Sequence, residues 1–196
     1  VELHMKLGLD PRQTDQRVRG VVVLPHGTGK RVRILVLAER EDQRIAQEAG
    51  ADYAGGDDLI KRIQGGWTDF DVAFAVPQMM RKVGRLGRIL GPRGLMPNPR
   101  TGTVVPAQDL PRLVEEAHRG RVEFRLDDSG NIHAPIGKVS FSEQQVLENM
   151  ATVMEAVSKA RPPAAKGHYR RSNTKRWTLG PGIKVDVTRA TQLRAT

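Results

Sequence analysis

Residues 84–105 concentrate the residue types that suit contact with a polyanion. The stretch reads GRLGRILGPRGLMPNPRTGTVV and contains five glycines, three prolines, four arginines and no acidic residue. Arginine neutralises phosphates, glycine lets a backbone approach a partner closely, and proline fixes an extended path without a donor. The composition predicts either a loop that faces RNA or a rigid turn whose arginines are simply solvated.

The glycine patterns do not match the phosphate-binding loops of nucleotide enzymes. A P-loop has four residues between its first glycine and its Gly-Lys-Ser/Thr, and a helix follows it. In residues 26–30, HGTGK, one residue separates the glycines, and an apolar run that predicts a strand follows Arg31. The glycines at 84, 87, 91 and 94 also miss the G-x-G-x-x-G spacing of a dinucleotide site. These residues therefore predict no nucleotide cofactor.

Metal and acid–base sites are not supported by the residue spacing either. The chain has no cysteine, and none of its five histidines has another ligand residue four positions away. Asp127 and Asp128 are adjacent, but the Ser-Gly that follows them favours a turn over a catalytic pair. We expect no metal site and no catalytic residue.

The charge is high and unevenly distributed. The net charge is +10, and residues 27–118 carry 14 Lys/Arg against 12 Asp/Glu, whereas residues 119–196 carry 14 against 7. Basic charge at this level indicates a polyanionic partner, usually nucleic acid. No apolar run approaches the roughly 20 residues of a membrane span, so we expect no membrane partner.

The elements that would hold these residues divide the chain into a centre and two ends. In the centre, strands such as RVRILVLA and FDVAFAV alternate with helices such as REDQRIAQEAG, which predicts a mostly parallel α/β domain. At the ends, residues 1–7 alternate apolar and polar side chains as a strand does. Residues 142–159 show an amphipathic helix with a capping-box start, and strands are predicted over 121–126, 132–141, 168–180 and 183–188.

The two ends are expected to form one domain, residues 1–26 with 119–196, into which residues 27–118 are inserted. The opening strand has no helix of its own to pack on, whereas the C-terminal end supplies both strands and a helix. Because a chain rarely opens inside a strand, we expect further residues upstream of Val1.

Several long motifs together resemble one protein family. The signature GRLGRILGPRGLMPNPRTGTV is similar to that of the universal large-subunit ribosomal proteins of the L-one family. The resemblance covers essentially the whole chain in order, through VELHMKLGLDPRQTDQRVRGVVVLPHGTGK, AGADYAGGDDLI, GRVEFRLDDSGNIHAPIGKVSF and AKGHYRRS…WTLGP. The family's first forty or so residues have no counterpart here, in line with the strand-first start.

The resemblance implies a fold and a function. It implies a split α/β terminal domain made from both chain ends and an inserted Rossmann-like three-layer α/β domain. It implies a non-enzymatic constituent of the large ribosomal subunit that binds 23S-type rRNA, forms the mobile side stalk near the tRNA exit site and assists release of deacylated tRNA. In bacteria it also implies a translational repressor that binds its own mRNA.

The resemblance also implies where RNA binds. The family's RNA-binding Thr-Met-Gly triplet matches Thr178-Leu179-Gly180, where leucine replaces methionine, a volume-conserving exchange that should be tolerated. The other expected RNA-binding residues are His4, Lys6, Asp127, Arg170, Arg171 and Ser172. Lys175 and Arg176 are open assignments, since a solvated strand face explains them equally well.

The resemblance changes the interpretation of residues 84–105. It places the main rRNA surface on the terminal domain, and the charge distribution agrees, because +8 of the +10 lies outside residues 27–118. The Gly/Pro/Arg stretch then becomes architecture with a secondary RNA or tRNA contact through Arg85, Arg88, Arg93 and Arg100.

Two other functions stay open at this point. One is an α/β enzyme that acts on a phosphorylated substrate through the central domain, and the other is an extra-ribosomal regulator that uses the same fold on mRNA. The expected location is the ribosome, in the cytoplasm of a bacterium or in a chloroplast or mitochondrion.

Overall fold

The computed structural model describes residues 1–165 and 167–186 and divides the chain into two compact α/β units. The terminal unit contains residues 1–30 and the described residues from Arg119 onward, and the inserted unit contains residues 31–118. Within the described residues, no helix combines the length and the apolar character needed to cross a membrane.

The described residues form strands, α-helices and short 3-10 turns. The strands are β1 (Glu2–Leu7), β2 (Arg19–Val23), β3 (Ile34–Leu37), β4 (Tyr53–Gly55), β5 (Val72–Ala75), β6 (Arg121–Arg125), β7 (Asn131–Pro135), β8 (Arg170–Arg176) and β9 (Gly182–Val185). The α-helices are α1 (Arg40–Glu48), α2 (Asp57–Gln64), α3 (Met80–Val83), α4 (Gly87–Leu90), α5 (Leu110–Arg119) and α6 (Glu143–Lys159). The 3-10 turns are Thr14–Gln16, Pro77–Met79, Gly84–Leu86, Pro99–Thr101 and Ala107–Asp109.

The terminal unit contains an antiparallel sheet with strand order β7-β1-β8-β9 and a second sheet that pairs β2 with β6. The predicted alternation in β1 is confirmed, because Leu3, Met5 and Leu7 are fully buried while the residues between them are not. The strand predicted over 132–141 ends at Pro135, because a turn follows in which the Phe141 amide donates to the Lys138 carbonyl. Of the strand predicted over 183–188, the last two residues lie outside the described ones.

Helix α6 packs its apolar face into the core of the terminal unit. The predicted capping box is confirmed, since the Ser142 hydroxyl accepts from the Gln145 amide and the Gln145 side chain accepts from the Ser142 amide. Two orphan donors at the helix start are thereby satisfied. The apolar face predicted for this helix consists of Val146, Leu147, Met150, Val153, Met154 and Val157. All of these are buried except Leu147, which is 43 % exposed, so the prediction was wrong for that residue.

Asn149 on α6 fixes the segment around residue 27, where the chain leaves the terminal unit. Its buried amide donates to the carbonyls of Gly27 and Ile136, each at 2.9 Å, and accepts from the His26 amide at 3.1 Å. The returning segment lies directly against this one, because a Cβ on Gly120 would stand only 2.4 Å from the Gly27 Cα. The φ of Gly120 is +106°, so glycine is needed there for both backbone conformation and space.

The inserted unit is a parallel three-stranded sheet with strand order β4-β3-β5, covered by helices. All four residues of β3 are buried, as an apolar strand with both faces covered should be. The short strand β4 was not predicted, because Tyr-Ala-Gly is neither an apolar run nor a clear alternation.

The first part of the stretch 84–105 is helical. Successive helical turns run from Pro77 to Leu90, and Met79, Val83, Leu86 and Leu90 are all buried. Their spacing of i, i+4, i+7 and i+11 is that of one helix face, which outweighs the glycines between them. The sequence predicts a helix over PQMMRKVGRLG, residues 77–87, with Pro77 at its first position, and the structure extends the helical turns beyond it to Leu90.

The second half of the stretch is a rigid turn organised by Asn98. Its side chain accepts from the Arg100 amide at 2.8 Å, and its carbonyl accepts from the hydroxyls of Thr101 and Thr103, each at 3.1 Å. Both threonines are buried, and Gly102 closes the turn with a φ of +60°. This part of the stretch therefore has a structural role in the inserted unit.

Candidate nucleic-acid interface

One face of the four-stranded sheet is polar and presents most of the residues expected from the sequence. His4 lies opposite His133 on β7 and Thr174 on β8, while Lys6 lies opposite Asn131 and Ser172. Directly paired residues point to the same side of a sheet. The core takes the intervening side chains of β1, so the polar set faces away from it. We call this surface the sheet face; it consists of Glu2, His4, Lys6, Asn131, His133, Ser172, Thr174, Arg176 and Lys184.

A chain of polar contacts crosses the sheet face. The Nδ1 atoms of His4 and His133 are 2.5 Å apart, and His133 Nε2 is 3.1 Å from a carboxylate oxygen of Asp127. An ionised carboxylate only accepts, so His133 donates from Nε2 to Asp127, and only one of the two facing Nδ1 atoms can carry the proton that they share. Burial, and next the charge of His133, lowers the pKa of His4.

Asp127 organises the turn between β6 and β7. Its carboxylate accepts from the backbone amides of Ser129 at 2.9 Å and Asn131 at 2.7 Å, besides His133. Burial acts to raise its pKa, but the hydrogen bonds, led by the Asn131 amide, outweigh burial and lower the pKa to about 2. The Asp127 charge is thus directed into the turn.

Lys6 and Ser172 lie at the same end of the sheet face as this turn. The Lys6 ammonium donates to the Ser129 carbonyl, and Ser172 is exposed on the neighbouring strand. The structure therefore brings together three of the expected residues, Lys6, Asp127 and Ser172.

The strand predicted over 168–180 covers only Arg170–Arg176, and the triplet Thr178-Leu179-Gly180 forms the turn between β8 and β9. The Gly180 amide donates to the Trp177 carbonyl at 3.0 Å, and Arg176 Nε donates to the Gly180 carbonyl at 3.1 Å. Thr178 is exposed, and Leu179 is 98 % exposed, so the apolar side chain projects from the tip of the turn. Gly180 does not have a positive φ, but a Cβ there would stand 3.0 Å from the Trp177 ring, so the close approach of the ring is what favours glycine.

The triplet and Ser172 stand at opposite ends of the sheet face. Arg176, next to the turn, pairs with Glu2 at the start of β1, whereas Ser172 pairs with Lys6 near its end. Four strand steps separate Ser172 from Arg176, which is about 13 Å at roughly 3.3 Å per residue, and the triplet follows in the turn. The expected site is an extended strip, with His4 and Thr174 in its middle.

The four basic residues of β8 point in different directions. Lys175 pairs with the buried Leu3 and so points away from the sheet face, whereas Arg176 belongs to the face. The register is irregular where Lys6 and Leu7 pair with Ser172 and Arg170, and Arg171 is the extra residue. Arg171 lines a separate hollow beside Gly8, and half-buried Arg170 has its pKa lowered by burial.

Five residues of the sheet face were not predicted as site residues from the sequence: Glu2, Asn131, His133, Thr174 and Lys184. The signal for His133 was present, because it alternates with the buried Ile132 and Ala134. What the sequence lacks is the partner of each strand, and the pairing of residue 4 with residue 133 spans most of the chain.

The expected secondary arginines belong to the inserted unit. Arg85, Arg88, Arg93 and Arg100 are all exposed. The Arg93 guanidinium contacts the Thr68 hydroxyl, and the Arg100 amide is held by the Asn98 cap. Arg85 and Arg88 lie on the short helical turns whose leucines enter the core.

An enzyme built on the inserted unit would use the crevice at the carboxyl ends of β3 and β5, where the strand order reverses. That crevice is lined by Glu39, Arg40 and Lys82 among others. Lys82 is 2.6 Å from Glu39 and 2.9 Å from Asp57, and these hydrogen bonds raise its pKa. In the described part of the chain, acidic residues and histidines form no group of three that could hold a metal ion.

The chain matches known proteins over nearly its full length. Residues 1–179 match the model of the family described as "Ribosomal protein L1p/L10e family". Large ribosomal subunit protein uL1 of Chloroflexus aurantiacus is 57 % identical over 196 residues, which is 100 % of this chain and 83 % of the relative. The proteins of that name from Thermomicrobium roseum and Dehalococcoides mccartyi are 58 % and 55 % identical, each over 95 % of this chain and 78 % and 79 % of their own lengths. The chain belongs to the ribosomal protein L1p/L10e family, whose members named here are constituents of the large ribosomal subunit, and its place is the ribosome.

Proposed function

We propose that the sheet face and the β8–β9 turn form the surface through which this chain binds 23S-type rRNA in the large subunit. The observation that carries the proposal is the strand register, which aligns Lys6, His4, Thr174 and Arg176 in one strip that ends at the exposed triplet. Along β8 the strip is about 13 Å long, which is four steps at roughly 3.3 Å each, and the triplet continues it beyond the end of the strand.

The charge of this strip suits a phosphate backbone. Lys6, Arg176 and Lys184 contribute positive charge, while Asp127 directs its carboxylate into its own turn and Glu2 lies 3.5 Å from His4. Hydroxyls at Ser172, Thr174 and Thr178 can bond to phosphates or to 2′-hydroxyls, which distinguish RNA from DNA. This combination supports recognition of RNA by shape and backbone.

Substitutions in the triplet Thr178-Leu179-Gly180 test the proposed rRNA binding. Thr178→Val keeps the shape and removes the hydroxyl, and we expect a loss of about 1–3 kcal/mol in binding to the cognate rRNA fragment, because a partner buried on binding is left unpaired. Leu179→Met should cost less than about 1.5 kcal/mol. Gly180→Val should cost the most, because its branched side chain displaces Trp177.

Filter binding of each variant to the cognate rRNA fragment and to a scrambled hairpin gives the comparison. Charge reversal at Arg170 or Arg171 is the contrasting change, since we expect it to weaken binding to all RNAs alike and to reduce the salt dependence. If Thr178→Val and Gly180→Val bind the cognate fragment as tightly as the parent does, the triplet is not the recognition site.

We propose further that the subunit role includes the mobile side stalk near the exit site and release of deacylated tRNA. The exposed arginines of the inserted unit, Arg85, Arg88, Arg93 and Arg100, are the groups we assign to a secondary RNA or tRNA contact. Catalysis has no part in this proposal. Photochemical cross-linking from position 88 in reconstituted subunits tests the assignment, because it should capture tRNA or stalk rRNA.

We propose that the chain also represses translation of its own mRNA, which it binds through the sheet face. An mRNA segment that presents the shape of the rRNA site would compete for the sheet face. Competition between the rRNA fragment and the leader of its own transcript tests this, since the two RNAs should exclude each other and respond alike to Thr178→Val.

A further inference from the structure

Trp177 is the one exposed aromatic side chain among the eight Phe, Trp and Tyr residues, all of which the structure describes. It is 38 % exposed, whereas the other seven are buried or half-buried, most of them within the two cores. Trp67, the other tryptophan, packs edge-on against Tyr53 with 4.8 Å between ring centroids and lies 5.4 Å from Phe70. Trp177 is therefore an aromatic ring that packs in neither core and stays exposed beside the proposed RNA site.

The turn itself holds the Trp177 ring in place. A Cβ on Gly180 would stand 3.0 Å from Cε3 of the indole, so the ring rests against the bare α-carbon of the glycine. The Trp177 carbonyl accepts from the Gly180 amide, and Arg176 holds the Gly180 carbonyl. The indole is thus oriented by the turn before any partner arrives, which lowers the entropy cost of contact.

The surroundings of the ring favour RNA as its partner. Arg176 precedes it, the Thr178 hydroxyl and the exposed Leu179 follow it, and Lys184 lies on the neighbouring strand. Cations beside an exposed aromatic ring are typical of sites where an unpaired base stacks while its phosphate is neutralised.

We propose that Trp177 is a base-stacking residue, which takes one unpaired nucleobase of the bound RNA onto its indole ring. This inference rests on the proposed rRNA binding and specifies the nature of the contact at the β8–β9 turn. Gly180 then has a second role, because its lack of a side chain leaves room for the Trp177 ring to pack against the turn.

Affinity for the 23S rRNA fragment that carries the binding region, measured by filter binding, is the first test. We expect Trp177→Ala to weaken binding about ten- to a hundredfold, the range for loss of one stacked base. Trp177→Phe should restore most of the affinity and Trp177→Leu should not, because stacking needs a ring rather than apolar volume. Val139→Ala, at a site 76 % exposed, is the matched control and should bind as the parent does.

Fluorescence is the second test, because it reports the ring directly. In Trp67→Phe, Trp177 is the sole tryptophan, and its emission should be quenched when the same fragment saturates the protein. In Trp177→Phe, the emission of Trp67 should not respond.

The outcomes separate this inference from the function on which it rests. If the parent binds the fragment and either Trp177→Ala binds equally well or the Trp177 emission is unchanged at saturation, stacking is wrong and rRNA binding stands. Equal affinities of Trp177→Leu and Trp177→Phe also overturn stacking. If the parent does not bind the fragment at all, both are overturned.

Discussion

The Nδ1 atoms of His4 and His133 lie 2.5 Å apart across the pairing of β1 with β7. Two imidazoles can share this contact only while one of the two facing nitrogens is unprotonated, and His133 uses its other nitrogen, Nε2, to donate to Asp127. The middle of the proposed RNA surface is consequently a polar patch of linked histidines between two basic ends. A proton added to His4 would remain beside His133 and Arg176, both of which lower its pKa after burial does.

The terminal unit should lose stability as the pH falls below the ordinary pKa of histidine, about 6.5. Because the folded pKa of His4 is lowered, the unfolded chain binds more protons than the folded one between the two pKa values, so stability rises with pH there. The contribution of His4 to stability is fully present above about pH 6.5, and it is fully lost below the folded pKa of His4. Amide exchange of β1 at several pH values should show this slope, and His4→Gln should reduce it. An unchanged slope in His4→Gln would assign the titration to another group.

Asp127→Asn should destabilise the terminal unit by about 1–3 kcal/mol, because the amide replaces a charged acceptor of several hydrogen bonds in the β6–β7 turn. Asp128→Asn is the matched control, since it removes the same charge from an exposed neighbour. Urea unfolding at neutral pH measures both variants. Equal midpoints for the two would contradict the role given to Asp127.

The same carboxylate predicts an acid-dependent loss of stability. Its folded pKa is about 2 against an ordinary 3.8, so its contribution is present above 3.8 and is lost as the pH falls from 3.8 to about 2. In Asp127→Asn this part of the acid dependence should disappear. A variant that loses stability over this range as the parent does would show that other carboxyl groups dominate.

Gly120→Ala should be severely destabilising, by more than about 2 kcal/mol, because the methyl group would overlap the Gly27 backbone at a residue with a φ of +106°. Gly167→Ala separates the two causes, since Gly167 also has a positive φ, +71°, but a Cβ there would meet nothing within 4 Å. The control should cost about 1 kcal/mol. Thermal unfolding of the two variants compares them, and similar losses would mean that close approach contributes nothing.

Local signals allowed part of this structure to be predicted from the sequence. The alternation of Leu3, Met5 and Leu7 gave the buried face of β1, and Ser142 with Gln145 gave the start of α6, because each pattern is complete within a few residues. The pattern at 79, 83 and 86 lies within the helix predicted over 77–87, and Leu90 continues the same face beyond its predicted end.

The rest depends on pairing between distant segments. Nothing near Lys175 or Arg176 indicates which of them faces the core; their partners Leu3 and Glu2 decide it, more than 170 positions away. In the same way, His133 joins the site only because β7 lies beside β1, and the β4 strand exists only because β3 offers it a partner. Such contacts leave no mark on a single sequence.

The central claim is that the main RNA surface is the sheet face and not the inserted unit, and a pair of double charge reversals tests it most directly. Arg176→Glu with Lys184→Glu changes the sheet face, while Arg85→Glu with Arg88→Glu makes the same charge change in the inserted unit. Filter binding to the 23S rRNA fragment over a range of salt concentrations measures affinity and salt slope together. We expect the first variant to lose about a hundredfold in affinity and to reduce the salt slope by about two, and the second to lose less than about tenfold. A sheet-face variant within tenfold of the parent, or a larger loss in the inserted-unit variant, would contradict the account.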